Sequence, residues 1–189
     1  MTMKKPIYKY PSFVKNVELE KTDDKRFWLK LTIDETKKDS IVVILKNPSR
    51  ANKEVSDKTV YNVSNYIYRN QDKYDFLEDV GSLIIVNLIP HYQTYSDQLK
   101  VLSNDVICTE NLRVIDDITK QNSKVIIAWG NHPSGLYKEY ETLKSEALQI
   151  LAKNNNEIFY VDKLSAAGNP KHGQIWGYKN DLLKYPFAD

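Results

Sequence analysis

This chain is short of the residues that most readily build a catalytic centre. Only one of its 189 residues is cysteine, so an internal disulfide framework and a cysteine-built zinc site are both excluded. The three histidines, His91, His132 and His172, are far apart and lack H-x-x-x-H spacing, so no metal centre is expected. Six glycines are present, and none falls in G-x-x-x-x-G-K-[ST], G-x-G-x-x-G or G-x-S-x-G. That removes the P-loop, the dinucleotide fingerprint and the nucleophile elbow, and no cofactor is expected. No run reaches the ~18 apolar residues of a membrane span. Met1-Thr2-Met3-Lys4-Lys5 leads into no apolar stretch, so the expected location is cytoplasmic, with no membrane partner. Charge is nearly balanced, 27 basic against 25 acidic residues, which permits contact with nucleic acid without demanding it.

Four short apolar runs stand out against this background. Ile41-Val42-Val43-Ile44-Leu45 is β-branched and continuous, as in a strand covered on both faces. Leu83-Ile84-Ile85-Val86, Val125-Ile126-Ile127-Ala128 and Ile158-Phe159-Tyr160-Val161 repeat the pattern, and amphipathic segments separate them. Strand alternating with helix predicts one α/β domain over 1–189, a three-layer sandwich with a central, mainly parallel sheet. Residues 1–22 read as a peripheral arm or edge strand. Phe27, Leu29, Leu31 and Ile33 alternate as one face of a half-buried strand.

The connecting helices have recognisable starts. Ser56 or Asp57 caps a helix reaching about Gln71, and Asn104 or Asp105 caps another reaching about Gln121. Cys108 falls inside that second helix, spaced to share a buried face with Leu112 and Ile115. Pro133 suits the first turn of a third helix, with His132 as its cap and Leu136, Tyr140, Leu143, Ala147 and Ile150 as its stripe. The tail with Trp176, Tyr178, Leu182 and Leu183 reads as a packing helix or arm, and His91 as exposed.

Parallel strands would collect their carboxyl ends on one rim, where ligands of open α/β sheets bind. That rim would carry Asn47-Pro48-Ser49, Asn87, Trp129-Gly130-Asn131 and the loop ending in Lys171-His172. Asparagine amides donate and accept at once, matching the edge of a nucleobase or an amide. Histidine donates to a ligand oxygen or carries a proton. Tyr92, Tyr95, Trp129 and Trp176 are candidate faces for base stacking. Lys46, Arg50 and Lys53 are candidate contacts to a nucleic-acid backbone. Each has a plainer reading: Asn47 and Asn87 as turn formers, Trp129 as packing, the lysines as a solvated loop.

The ordered series Leu45-Lys46-Asn47-Pro48-Ser49, Asp57-Lys58-Thr59, Val86-Asn87-Leu88, Ala128-Trp129-Gly130 and Gly168-Asn169-Pro170-Lys171-His172 resembles the bacterial and phage domain-of-unknown-function family 1643. More distantly the layout is similar to the uracil-DNA glycosylase superfamily. That second resemblance implies a glycosylase-like fold in which Asn47 holds the attacking water, Asn87 reads the base edge and His172 faces the base oxygen that gains charge. Asp57 is then the nearest carboxylate able to serve as base, with Asn47, His172 and Asp57 as catalytic candidates. Asn87, Pro48, Ser49, Trp129 and Lys171 are ligand-binding candidates.

The resulting expectation is a nucleic-acid or nucleobase-binding protein with a glycosylase-like pocket, DNA before RNA. The alternatives are a DNA glycosylase acting on a modified or damaged base, and a non-catalytic protein-interaction module of a mobile element.

Overall fold

A computed structural model describes residues 8–93, 99 and 106–186. Seven strands form one sheet: β1 (Asn16–Lys21), β2 (Arg26–Thr32), β3 (Asp39–Leu45), β4 (Val80–Asn87), β5 (Lys124–Ile127), β6 (Glu157–Val161) and β7 (Leu182–Lys184). Their order is β1-β2-β4-β3-β5-β6-β7. The four apolar runs are the parallel centre, with β3 paired to both β4 and β5, and β5 to β6. Antiparallel β1 and β2 extend one side and antiparallel β7 the other.

Helices α1 (Lys58–Arg69) and α2 (Asp75–Glu78) cover one face, and α3 (Thr109–Lys120) and α4 (Tyr137–Lys153) the other. Strand alternation divides the core accordingly. Ile41, Val43 and Leu45 pack with Val60, Val63 and Ile67 of α1. Val42 and Ile44 point the other way, toward Leu143, Ala147 and Leu151 of α4. The expected three layers are therefore present. Among the described residues no helix is long and apolar enough to cross a membrane.

Several local expectations are corrected. Cys108 is not inside a helix; it is half-buried and extended (φ −105°), and its carbonyl accepts the first helical bond, from the Leu112 N–H at 3.1 Å. Asn104 and Asp105 lie outside the described residues. Pro133 and His132 do not open α4. Gly135 follows them in the left-handed region (φ +80°), which a helix does not accommodate, so the helix starts only at Tyr137. On its buried stripe Leu151 replaces Ile150. The tail is a short 3-10 turn (Gly173–Ile175) followed by strand β7, not a helix. His91 is buried, bridged to Lys25 beside β2.

Candidate functional site

Chain direction builds the rim. From β3 the chain turns to α1 on one face, whereas β4 and β5, its neighbours on either side, lead to α3 and α4 on the other. Connections that diverge in this way open a crevice at the carboxyl ends of the strands. Asn47, Asn87 and Gly130 all stand at that edge.

Asn87 is the last residue of β4, in register with Leu45 of β3. Alternation puts its side chain on the same face as Leu83 and Ile85, toward α1. It is 0% exposed, and neither its Oδ1 nor its Nδ2 has a hydrogen-bond partner among the described residues. Most buried polar side-chain atoms in proteins are paired, so a wholly orphaned amide is exceptional. The backbone beneath it is secured: Asn111 Nδ2 donates to the carbonyls of Asn87 (2.8 Å) and Leu88 (3.2 Å).

His172 reaches the same edge from the loop after β6. The Gly173 N–H donates to the Ala128 carbonyl at 3.3 Å. A Cβ at Gly173 would lie 2.6 Å from Val63 Cγ2 and 3.1 Å from Leu45 Cδ2, so only glycine lets this loop descend onto β3 and α1. His172 rests on Gly130, where an added Cβ would come 2.9 Å from the histidine Cβ. Asn87 and His172 thus flank the end of Leu45 from opposite sides.

The imidazole Nδ1 accepts the Gln174 N–H at 3.2 Å, which leaves the proton of the neutral ring on Nε2. Burial, helped by the nearby Lys46 charge and opposed by Asp57, lowers the His172 pKa to about 4. At neutral pH the rim therefore presents an uncharged N–H donor. The unfolded chain, with an ordinary histidine pKa near 6.5, binds more protons than the folded one between pH 4 and 6.5. Stability should rise with pH across that window and level off above it, by about 3 kcal/mol at most. Chemical denaturation at pH 4 to 8 checks this, and His172→Gln should flatten the rise.

Asn47 is tied down by its Nδ2, which donates to the carbonyls of Gln93 (2.7 Å) and Pro48 (3.0 Å), leaving Oδ1 as an anchored acceptor. Asp57 caps α1: Oδ1 accepts from Val60 N–H at 2.9 Å, and Oδ2 lies 3.4 Å from the Ala51 N–H. Its carboxylate is engaged in holding the loop, not free at the rim. Pro48 is buried, while Ser49 and Arg50 are half-buried on the same loop. Lys46 is half-buried, its ammonium 5.9 Å from the centre of the Tyr140 ring.

Other candidates separate from this group. Trp129 is 1% exposed in the core beneath α4, so it offers no open face for stacking, and its indole N–H has no acceptor among the described residues. Trp176 packs edge-on against Tyr66. Tyr95 lies outside the described residues. Lys171 is held by Asp162 at 2.6 Å. Lys53 lies along a groove with Leu19, Trp28 and Glu54, on the β1 side. Among the described residues no three His, Cys, Asp or Glu side chains converge as a metal site would need.

Two features escape the sequence. Arg26 is fully buried at the start of β2 and donates from Nη1 to the Ala51 carbonyl at 3.0 Å, bracing the loop that carries Asn47 and Asp57. Asn131 Oδ1 accepts from Ser165 (3.0 Å) and Asn169 (3.1 Å), and Asn169 Oδ1 accepts from Lys144 (2.6 Å), which fastens the histidine loop to α4. A charged residue opening an alternating strand was the one available hint of the first, and the repeated asparagines of the second.

Residues 26–173 match the family described as Protein of unknown function (DUF1643). The chain belongs to that family. No curated protein and no solved structure matches it. The span matched to DUF1643 opens on Arg26 and closes on Gly173, so it contains the whole rim, whereas β1 and β7 lie outside it.

Proposed function

We propose that this protein binds a nucleobase at the carboxyl ends of β3, β4 and β5, on a scaffold of uracil-DNA-glycosylase type. The observation that carries the reading is the Asn87 amide, buried with donor and acceptor both unused. Leaving such groups unpaired costs about 1–3 kcal/mol each. A ligand edge offering one acceptor beside one donor would remove that cost, and nucleobases offer such an edge. The neutral His172 Nε2–H supplies a further donor across Leu45, suited to a carbonyl oxygen of the base. Pro48 and Ser49 follow Asn47 on the loop that leaves β3.

Binding without hydrolysis is favoured over glycosylase action. The anchored Asn47 Oδ1 is suited to hold a water, but the nearest carboxylate, Asp57, is committed to backbone N–H groups. A hydrolase needs a group that takes the proton of the attacking water.

Calorimetric titration with a panel of nucleosides, alongside base-release assays on oligonucleotides with modified bases, tests both readings. Saturable nucleoside binding that weakens at least tenfold in His172→Ala, with no base release, is expected. Release of a base, lost in Asn47→Ala, would establish the glycosylase instead. If neither nucleosides nor DNA bind at low salt, the protein-interaction module of a mobile element becomes the better account.

A further inference from the structure

Among the described residues Lys46 and Arg26 lack the close counter-charges that pair Lys144 and Lys171. Lys144, 5.8 Å from the Tyr140 ring centre, is neutralised by Glu141 at 2.7 Å and hydrogen-bonded by Asn169. Lys46 approaches the same ring yet has neither an ion pair nor a hydrogen-bond acceptor among the described residues, although it is half-buried. Arg26 repeats the pattern deeper in. Its side chain bonds only the Ala51 carbonyl, its Nε is buried and unpaired, and no carboxylate comes within 4 Å among the described residues. Asp57 is the single acidic group whose field reaches both Arg26 and His172. Arg26 thus has only that distant carboxylate to offset its charge, and no carboxylate lies within 4 Å of Lys46 among the described residues. Removing charge from water without a partner is costly, and an anion brought by the ligand would offset it.

We propose that the ligand carries a phosphate taken by Lys46, so that the rim binds a phosphorylated nucleoside and not a free base. Lys46 leaves β3 immediately before Asn47 and points to the α4 face, whereas Asn87 points to the α1 face. A base held at Asn87 and His172 and a phosphate held at Lys46 would therefore straddle the end of β3. This inference rests on the nucleobase reading for the position of the sugar, but not for the anion itself. The same phosphate chemistry occurs in a free nucleotide and in a strand.

The test compares a nucleoside, its 5′-monophosphate, a short oligonucleotide containing it and inorganic phosphate, titrated into the full chain at constant ionic strength. The monophosphate or the oligonucleotide should bind roughly ten- to a hundredfold more tightly than the nucleoside, the range of one charge-assisted hydrogen bond. That ratio should fall to about one in Lys46→Gln, recover in part in Lys46→Arg, and persist in Lys163→Gln, a change at an exposed lysine. A gain seen with the monophosphate points to a free nucleotide, and a gain confined to the oligonucleotide to a strand. Inorganic phosphate bound through Lys46 without nucleoside binding would overturn the nucleobase reading alone. A ratio of one in the unaltered protein, or a ratio that survives Lys46→Gln, would overturn the phosphate site.

Discussion

Replacing Asn87 with leucine should raise the melting temperature by several degrees and abolish nucleoside binding in the same protein. Asparagine and leucine branch identically at Cγ, so the change swaps the orphaned oxygen and nitrogen for methyl groups with little alteration of shape. Each unsatisfied buried group costs about 1–3 kcal/mol, and apolar replacement of unpaired polar groups is neutral or stabilising. For a chain of this size about 1 kcal/mol shifts the midpoint by roughly 2–4 °C. Asn87→Asp should do the opposite, because it buries a carboxylate with no donor opposite it. Thermal unfolding of the three proteins decides the matter. A leucine variant that melts well below the parent would mean that the amide is satisfied in solution, and the site would lose its main support.

The second large effect is expected at Gly130. Alanine there should destabilise the protein by about 2–5 kcal/mol and loosen His172. Two penalties combine: a side chain in the left-handed region (φ +67°), costing about 1–2 kcal/mol, and overpacking against the His172 Cβ at 2.9 Å, costing about 1–3 kcal/mol. Gly168 is the internal control. It has nearly the same backbone (φ +73°) but open space around it, so Gly168→Ala should show only the first penalty. Displacing the ring should also return its pKa from about 4 toward 6.5, readable in an NMR titration of the imidazole. Equal destabilisation by the two alanines, with an unmoved His172 titration, would remove Gly130 from the site.

The core strands were legible because a strand covered on both faces must be apolar at every position, and the runs at 41–45, 83–86, 125–128 and 158–161 are. β7 was not, since Leu182-Leu183-Lys184 is too short to show a period and only Leu182 is buried. For a related reason α3 starts later than the sequence predicts. Val106-Ile107-Cys108 is apolar enough to continue a helix, yet Ile107 is exposed and Cys108 is extended. His91 is buried where the sequence predicts exposure, because burial of a polar residue depends on its neighbours across the sheet, not on those along the chain.

Residue order by itself pointed to the α/β class and a parallel centre of the sheet, because periodicity is a local property, and made the meeting of Asn47, Asn87 and His172 at one edge an expectation. Only the tertiary structure decided which of those groups remain unpaired. The Asn47 amide nitrogen, Asp57 and Lys171 are engaged by Gln93, Val60 and Asp162, whereas among the described residues the Asn87 amide has no hydrogen-bond partner and Lys46 no counter-charge. Hydrogen bonding and charge compensation are set by whatever the fold brings within about 3 Å, and sequence spacing carries no record of that.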